Sequence, residues 1–201
     1  MSGLENDTIG GFNAMIEKQK KKDGSCLITT ILFNHRQMTL HDRKDIQKIN
    51  PLSDYDYSVR GSTALLDAIG ETINKITTLH GWMGKTQKPD NVLFVITTDG
   101  LENSSREYAY EQINSMIEEK KQNDDWNFIF LGANIDAASE AVRLGINKNH
   151  AARYHPDKKG THINYKSLNM AISSLRDNRN IREDWSSDIK SYVEKNETND
   201  T

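Results

Sequence analysis

The 201-residue chain has one cysteine, Cys26, so no disulfide can form within it. Cys26 opens an apolar run and reads as a small core residue rather than a reactive thiol. No segment reaches the roughly 18 continuous apolar residues needed to span a bilayer. The N-terminus, Met1-Ser2-Gly3-Leu4-Glu5-Asn6-Asp7, has no basic stretch followed by an apolar one and does not read as a secretory signal. Charge of one sign is lacking too. The 26 basic and 29 acidic residues leave a net charge of -3, which gives no strong pull toward nucleic acid or a membrane surface. The expectation is a cytoplasmic protein with neither as a partner. The sequon Asn196-Glu197-Thr198 then has no chemical role.

The common catalytic signatures are missing as well. There is no G-x-G-x-x-G, no G-x-x-x-x-G-K-[ST] and no G-x-S-x-G elbow. Six histidines show no metal-ligand pairing, and His150 and His155, five apart, read as surface or turn residues. An enzyme is therefore not expected.

What the sequence does have is clustered apolar residues. Three short runs, Cys26 to Phe33, Asn91 to Thr98 and Trp126 to Leu131, are rich in β-branched and aromatic residues and read as strands. The middle run is almost continuously apolar, which predicts a strand covered on both faces of a parallel sheet. Between the runs lie helical spacings. Leu65, Leu66, Ile69, Ile73 and Ile76 form one face over Ala64 to Leu79. Tyr110, Ile113, Met116 and Ile117 do so over Arg106 to Gln122, and Ala138, Ala141, Val142 and Leu144 over Asp136 to Leu144. Asn134 or Asp136 is placed to cap the last of these, and Gly145 to end it.

A first helix is expected over Gly3 to Lys22, its basic end solvated, with Gly10-Gly11 weakening it unless a close approach to the sheet offsets the cost. Asn34 to Gln37 reads as a turn, Met38 to Asp42 as a returning edge strand, Ala151 to His155 as a weak strand and Lys166 to Arg176 as a last helix. The predicted fold class is α/β: a three-layer open sheet, mostly parallel with one antiparallel edge strand, and helices on both faces. The domain is expected to span 1–180, with a polar, disordered tail over 181–201.

In such a sheet, function gathers where loops leave the carboxyl ends of strands. The middle run ends in Thr97-Thr98-Asp99-Gly100, and a carboxylate at the end of a buried strand needs donors or a cation. The second notable loop is Arg60-Gly61-Ser62-Thr63-Ala64-Leu65. Ser62 or Thr63 can be the N-cap of the helix that follows, and Gly61 allows an unusual backbone angle. Alternatively, the Thr63 hydroxyl and the Asp99 carboxylate face one another as hard oxygen ligands for magnesium. Glu102 and Asn103 lie on the same rim, with Asn103, Ser104 and Ser105 read as caps of the next helix.

The segments RGSTALLDAIG, VLFVITTDGLENSSREY and WNFIFLGANIDA together resemble a von Willebrand factor A domain, over most of residues 1 to about 176. The similarity is to stand-alone bacterial and phage members of that family. It implies a Rossmann-like fold and a metal-ion-dependent adhesion site in which Thr63 matches the second loop and Asp99 the third. The family's Asp-x-Ser-x-Ser motif, with the central strand before it, has no counterpart here. The resemblance therefore implies an N-terminally truncated fold whose true start lies upstream, and weak or absent magnesium binding by this chain. It further implies a protein-binding module whose ion takes a carboxylate from a protein partner. A metal-free scaffold and, less favoured, a magnesium-dependent hydrolase are the other readings.

Overall fold

The computed structural model describes residues 3–59, 61–133, 135–178 and 180–197. In chain order the elements are α1 (Glu5–Lys20), β1 (Leu27–Phe33), β2 (Gln37–Asp45), α2 (Leu65–Gly81), β3 (Leu93–Thr98), α3 (Tyr110–Asn123), β4 (Asn127–Ala133), α4 (Ala137–Arg143), β5 (Ala151–Tyr154), α5 (Lys158–Asn178) and α6 (Ser187–Glu197). The class is α/β, with helices around parallel and antiparallel strands. No helix among the described residues is long and apolar enough to cross a membrane.

The strands do not form the one open sheet that the sequence predicts. β3, β4 and β5 make a parallel sheet in that order, and β1 and β2 make a separate antiparallel pair. The pair turns over Asn34 to Arg36, where the Asn34 side chain accepts a hydrogen bond from Arg36 N. Phe33 faces Gln37 and Leu27 faces Asp45 across it. In the parallel sheet Leu93 to Thr98 align with Asn127 to Gly132, and Phe130 to Ala133 with Ala151 to Tyr154. The crossovers between these strands are α3 and α4, as the alternating pattern demands.

Period-two alternation sends the two faces of β4 into different cores. Phe128 and Phe130 join Ile96 and the apolar faces of α2, α3 and α4. Ile129, Leu131 and Ala133 join Tyr154, α5 and α6 on the other side. Helices thus cover both faces, and β4 is buried from Phe128 onward. The strand predicted to be fully covered, β3, is less so. Ile96 and Thr98 are buried, but Leu93, Phe94 and Val95 are only half-buried; among the described residues β3 pairs with β4 alone.

Gly11 has its close approach, against helix α5 rather than the sheet. A Cβ there would lie 2.2 Å from the Tyr165 ring, whereas one on Gly10 would meet nothing within 4 Å. The Arg176 guanidinium reinforces the same contact. It donates to the carbonyls of Gln19, Lys22, Asp23 and Gly24, so α5 closes the carboxyl end of α1. The lysine run stays at that solvated end, where Lys20 donates to Glu17 and to Ile49 O and Lys22 pairs with Asp177.

The predicted disordered tail is a correction. Residues 187–197 form α6, with Ile189 and Val193 buried and Trp185 just ahead of it 1% exposed. The Trp185 indole donates to Asn149 O at 2.9 Å, tying this segment to the start of β5. Last, α5 begins at Lys158, well before the predicted Lys166.

Candidate functional site

Thr98 ends β3 and shapes the turn beyond it. Its hydroxyl donates to Gly100 O at 2.8 Å and accepts from Gly100 N at 3.3 Å. This places half-buried Asp99 at the carboxyl end of the strand. Glycine at 100 matters sterically, since a Cβ there would stand 3.3 Å from the Thr63 hydroxyl oxygen. The two predicted site loops are therefore neighbours, and Gly100 keeps the space beside Thr63 open.

The loops are also bolted together. Thr63 N donates to the Asn103 side chain at 2.8 Å, and Asn103 N donates back to Thr63 O at 3.0 Å. Ala64 N donates to Asn34 O, which attaches the same loop to the end of β1. Gly61 has φ +78°, the left-handed backbone its position suggested.

The helix start differs from the expectation. The N-cap of α2 is Ala64, without a side-chain cap of its own. Neither Ser62 nor Thr63 fills that place. The acceptor comes instead from Glu102, 36 residues beyond Leu66 in the chain but adjacent in space, which takes Leu66 N at 3.0 Å. Glu102 also accepts from Ser104 N, Ser105 N and the Ser105 hydroxyl. Burial alone raises the Glu102 pKa, but these hydrogen bonds together outweigh it and hold the carboxyl below its ordinary value.

Asp67, in the first turn of α2, plays the reciprocal part. Its carboxylate accepts from Arg106 N, Glu107 N and Tyr108 N, which shapes that stretch into an extended cap rather than helix. Tyr108 then lies flat against Gly70, where a Cβ would come within 2.6 Å of its ring. Asn103, Ser104 and Ser105 thus do not cap α3, which starts only at Tyr110 behind a Gln112 bond to Ala109 N. Nothing in local spacing announces these two carboxylate roles. The only sequence signal was an acid in the first turn of a helix.

Thr63 lies beside the turn that carries Asp99, where a Cβ on Gly100 would stand 3.3 Å from the Thr63 hydroxyl oxygen. Glu102 and Asp67 are committed to backbone amides. Among the described residues no group of three or more His, Cys, Asp or Glu is placed to hold a metal. The rim carries exposed Leu101, at 57% exposure, directly beyond Gly100.

Other singled-out residues have structural places. Cys26 is half-buried, its pKa raised by burial, and packs against the cluster of Ile16, Ile46 and Ile49. His41 meets the Thr30 hydroxyl, and His155 lies 3.4 Å from Asp157. His150 lines an open cleft of about 410 Å³ with Asp90, Asn91, Lys121 and Trp126, at the amino ends of β3 and β4 and so opposite the candidate site. In that cleft Lys121 is already bonded to Glu118 and to Gly145 O.

No protein-family model matches the sequence, and no curated protein matches it significantly.

Proposed function

We propose that this domain is a protein-interaction module that uses the loops at the carboxyl end of β3. Thr63 and Asp99 hold a magnesium ion there with an open coordination position, and a carboxylate from a protein partner fills it. The observation that carries this reading is the adjacency of Thr63 to the Asp99-Gly100 turn, where a Cβ on Gly100 would stand 3.3 Å from the Thr63 hydroxyl oxygen. The resemblance of these segments to a von Willebrand factor A domain supports it. One hydroxyl, one carboxylate and several waters leave the ion electrophilic, which favours capture of an outside carboxylate. The chain's own part is to fix those two oxygens: Asn103 and Glu102 clamp the Thr63 loop, and Thr98 clamps the turn that carries Asp99.

A metal-free scaffold is the second reading, favoured by the commitment of Glu102 and Asp67 to backbone amides. Titration with Mn²⁺, read by its paramagnetic resonance signal, separates the two. Saturable binding that Asp99→Ala and Thr63→Ala both weaken by about tenfold or more is expected of a site with so few protein ligands. Identical Mn²⁺ uptake by wild type and both variants would refute the metal reading.

A further inference from the structure

The cleft that His150 lines has a volume of about 410 Å³, room for one long side chain or a small molecule. Its floor is apolar. Trp126, Phe128 and Ile146 line it and are buried, at 5%, 2% and 2% exposure. Its mouth is acidic. Asp90 and Asp125 line it and are exposed.

The cations close by are already committed. Lys121, which also lines the cleft, donates to Glu118 and to Gly145 O. Lys120 donates to Asp124 and Glu119. Among the described residues no cation pairs with Asp90 or Asp125, so the uncommitted charge of the cleft is negative. His150 adds an acceptor rather than a charge. Burial and then the Lys121 ammonium push its pKa down, which keeps the ring neutral at pH 7. One ring N–H donates to the Phe128 carbonyl, so the other nitrogen carries a lone pair.

We propose that this cleft binds a guanidinium group on an aliphatic stem, the side chain of arginine. The stem covers the apolar floor, and the charged head meets the carboxylates at the mouth. A guanidinium suits this combination better than an ammonium. It is planar, spreads five N–H donors over several acceptors, and is more weakly hydrated, so it gives up water more readily against an apolar wall. The site lies at the other end of the sheet from Thr63 and Asp99, shares no residue with their loops and needs no metal.

The test is a titration of the whole chain with N-acetyl-arginine amide, followed by nuclear magnetic resonance. Expected is saturable movement of the Trp126 indole N–H and of the amides of 90–91 and 146–150. N-acetyl-citrulline amide has nearly the same shape without the charge, and is expected to bind about tenfold more weakly or worse. The double variant Asp90→Asn, Asp125→Asn is expected to lose arginine amide by a similar factor. Both positions are exposed, so its melting point should stay that of the wild type. Free arginine separates the two sources of the group. Tighter binding of the free amino acid than of the blocked form assigns the cleft to a small molecule, and the reverse order assigns it to a polypeptide; either supports guanidinium recognition. Citrulline amide or N-acetyl-lysine amide bound as tightly as arginine amide would overturn the proposal. So would undiminished binding by the double variant, or no saturation at about 100 mM ligand.

Discussion

Replacing Glu102 with glutamine tests whether the site loop is held by a charge. The carboxylate accepts Leu66 N on one oxygen and Ser104 N and Ser105 N on the other. A glutamine keeps one acceptor oxygen and turns the other position into a donor. The Ser105 hydroxyl can rotate to meet it, but Leu66 N cannot. One half-buried amide is orphaned, costing about 1 kcal/mol. Loss of negative charge at the α2 N-terminus costs about 0.5 kcal/mol more. The total, about 1.5 kcal/mol, corresponds to a melting point lower by about 5 °C for a domain of this size.

The pH dependence supplies the sharper check. The folded pKa of Glu102 lies below its ordinary 4.5, so its stabilising contribution is complete above pH 4.5 and fades as pH falls through the folded value. In urea unfolding, the gap between wild type and Glu102→Gln is expected at pH 7 and closes on acidification, where the protonated carboxyl resembles the amide. A gap of the same size at pH 7 and at the lowest pH where the fold survives would refute the argument from charge.

The adjacent glycines of α1 are expected to respond in opposite directions in the same assay. Gly10→Ala, with nothing within 4 Å, gains about 0.5–1 kcal/mol from helix propensity, while Gly11→Ala drives a methyl into the Tyr165 ring and loses about 2 kcal/mol. Equal effects would mean that α1 does not pack on α5 as described. Trp185→Ala removes a 1% exposed ring and its bond to Asn149 O, at about 4 kcal/mol. Amides of 187–197 should then exchange much faster than those of β4, and an unchanged melting point would contradict the buried place of this segment.

The sequence was informative where a single element carries its own pattern. The spacing from Leu65 to Ile76 gives α2 almost to the residue, and the antiparallel partner of β1 follows from its turn. Asp136 caps α4, with its side chain accepting from Ser139 N, and Gly145 ends it at φ +85°. Asn134, the other candidate cap, lies outside the described residues.

Legibility failed where a distant group decides. Arg106 to Tyr108 fit a helical period but are taken out of α3 by Asp67. In α6 only Ile189 and Val193 are buried, four apart in a polar stretch, too sparse a pattern to separate from a solvated tail. The candidate site was half readable. Thr63 and Asp99 were visible as residue types at loop positions, but the bonds from Asn103 to Thr63 and from Glu102 to Leu66 join groups 40 and 36 residues apart.

The Arg176 contact sets an order of events during synthesis. β3, β4 and β5 with their crossovers follow one another directly and can pair as they emerge. α1 precedes them in the chain, yet the guanidinium that closes its last carbonyls comes 157 residues after Gln19. Until that residue is made, the chain's first helix is an amphipathic segment with an open end and a bare glycine face. α1 is thus translated before the parallel sheet but secured only after it.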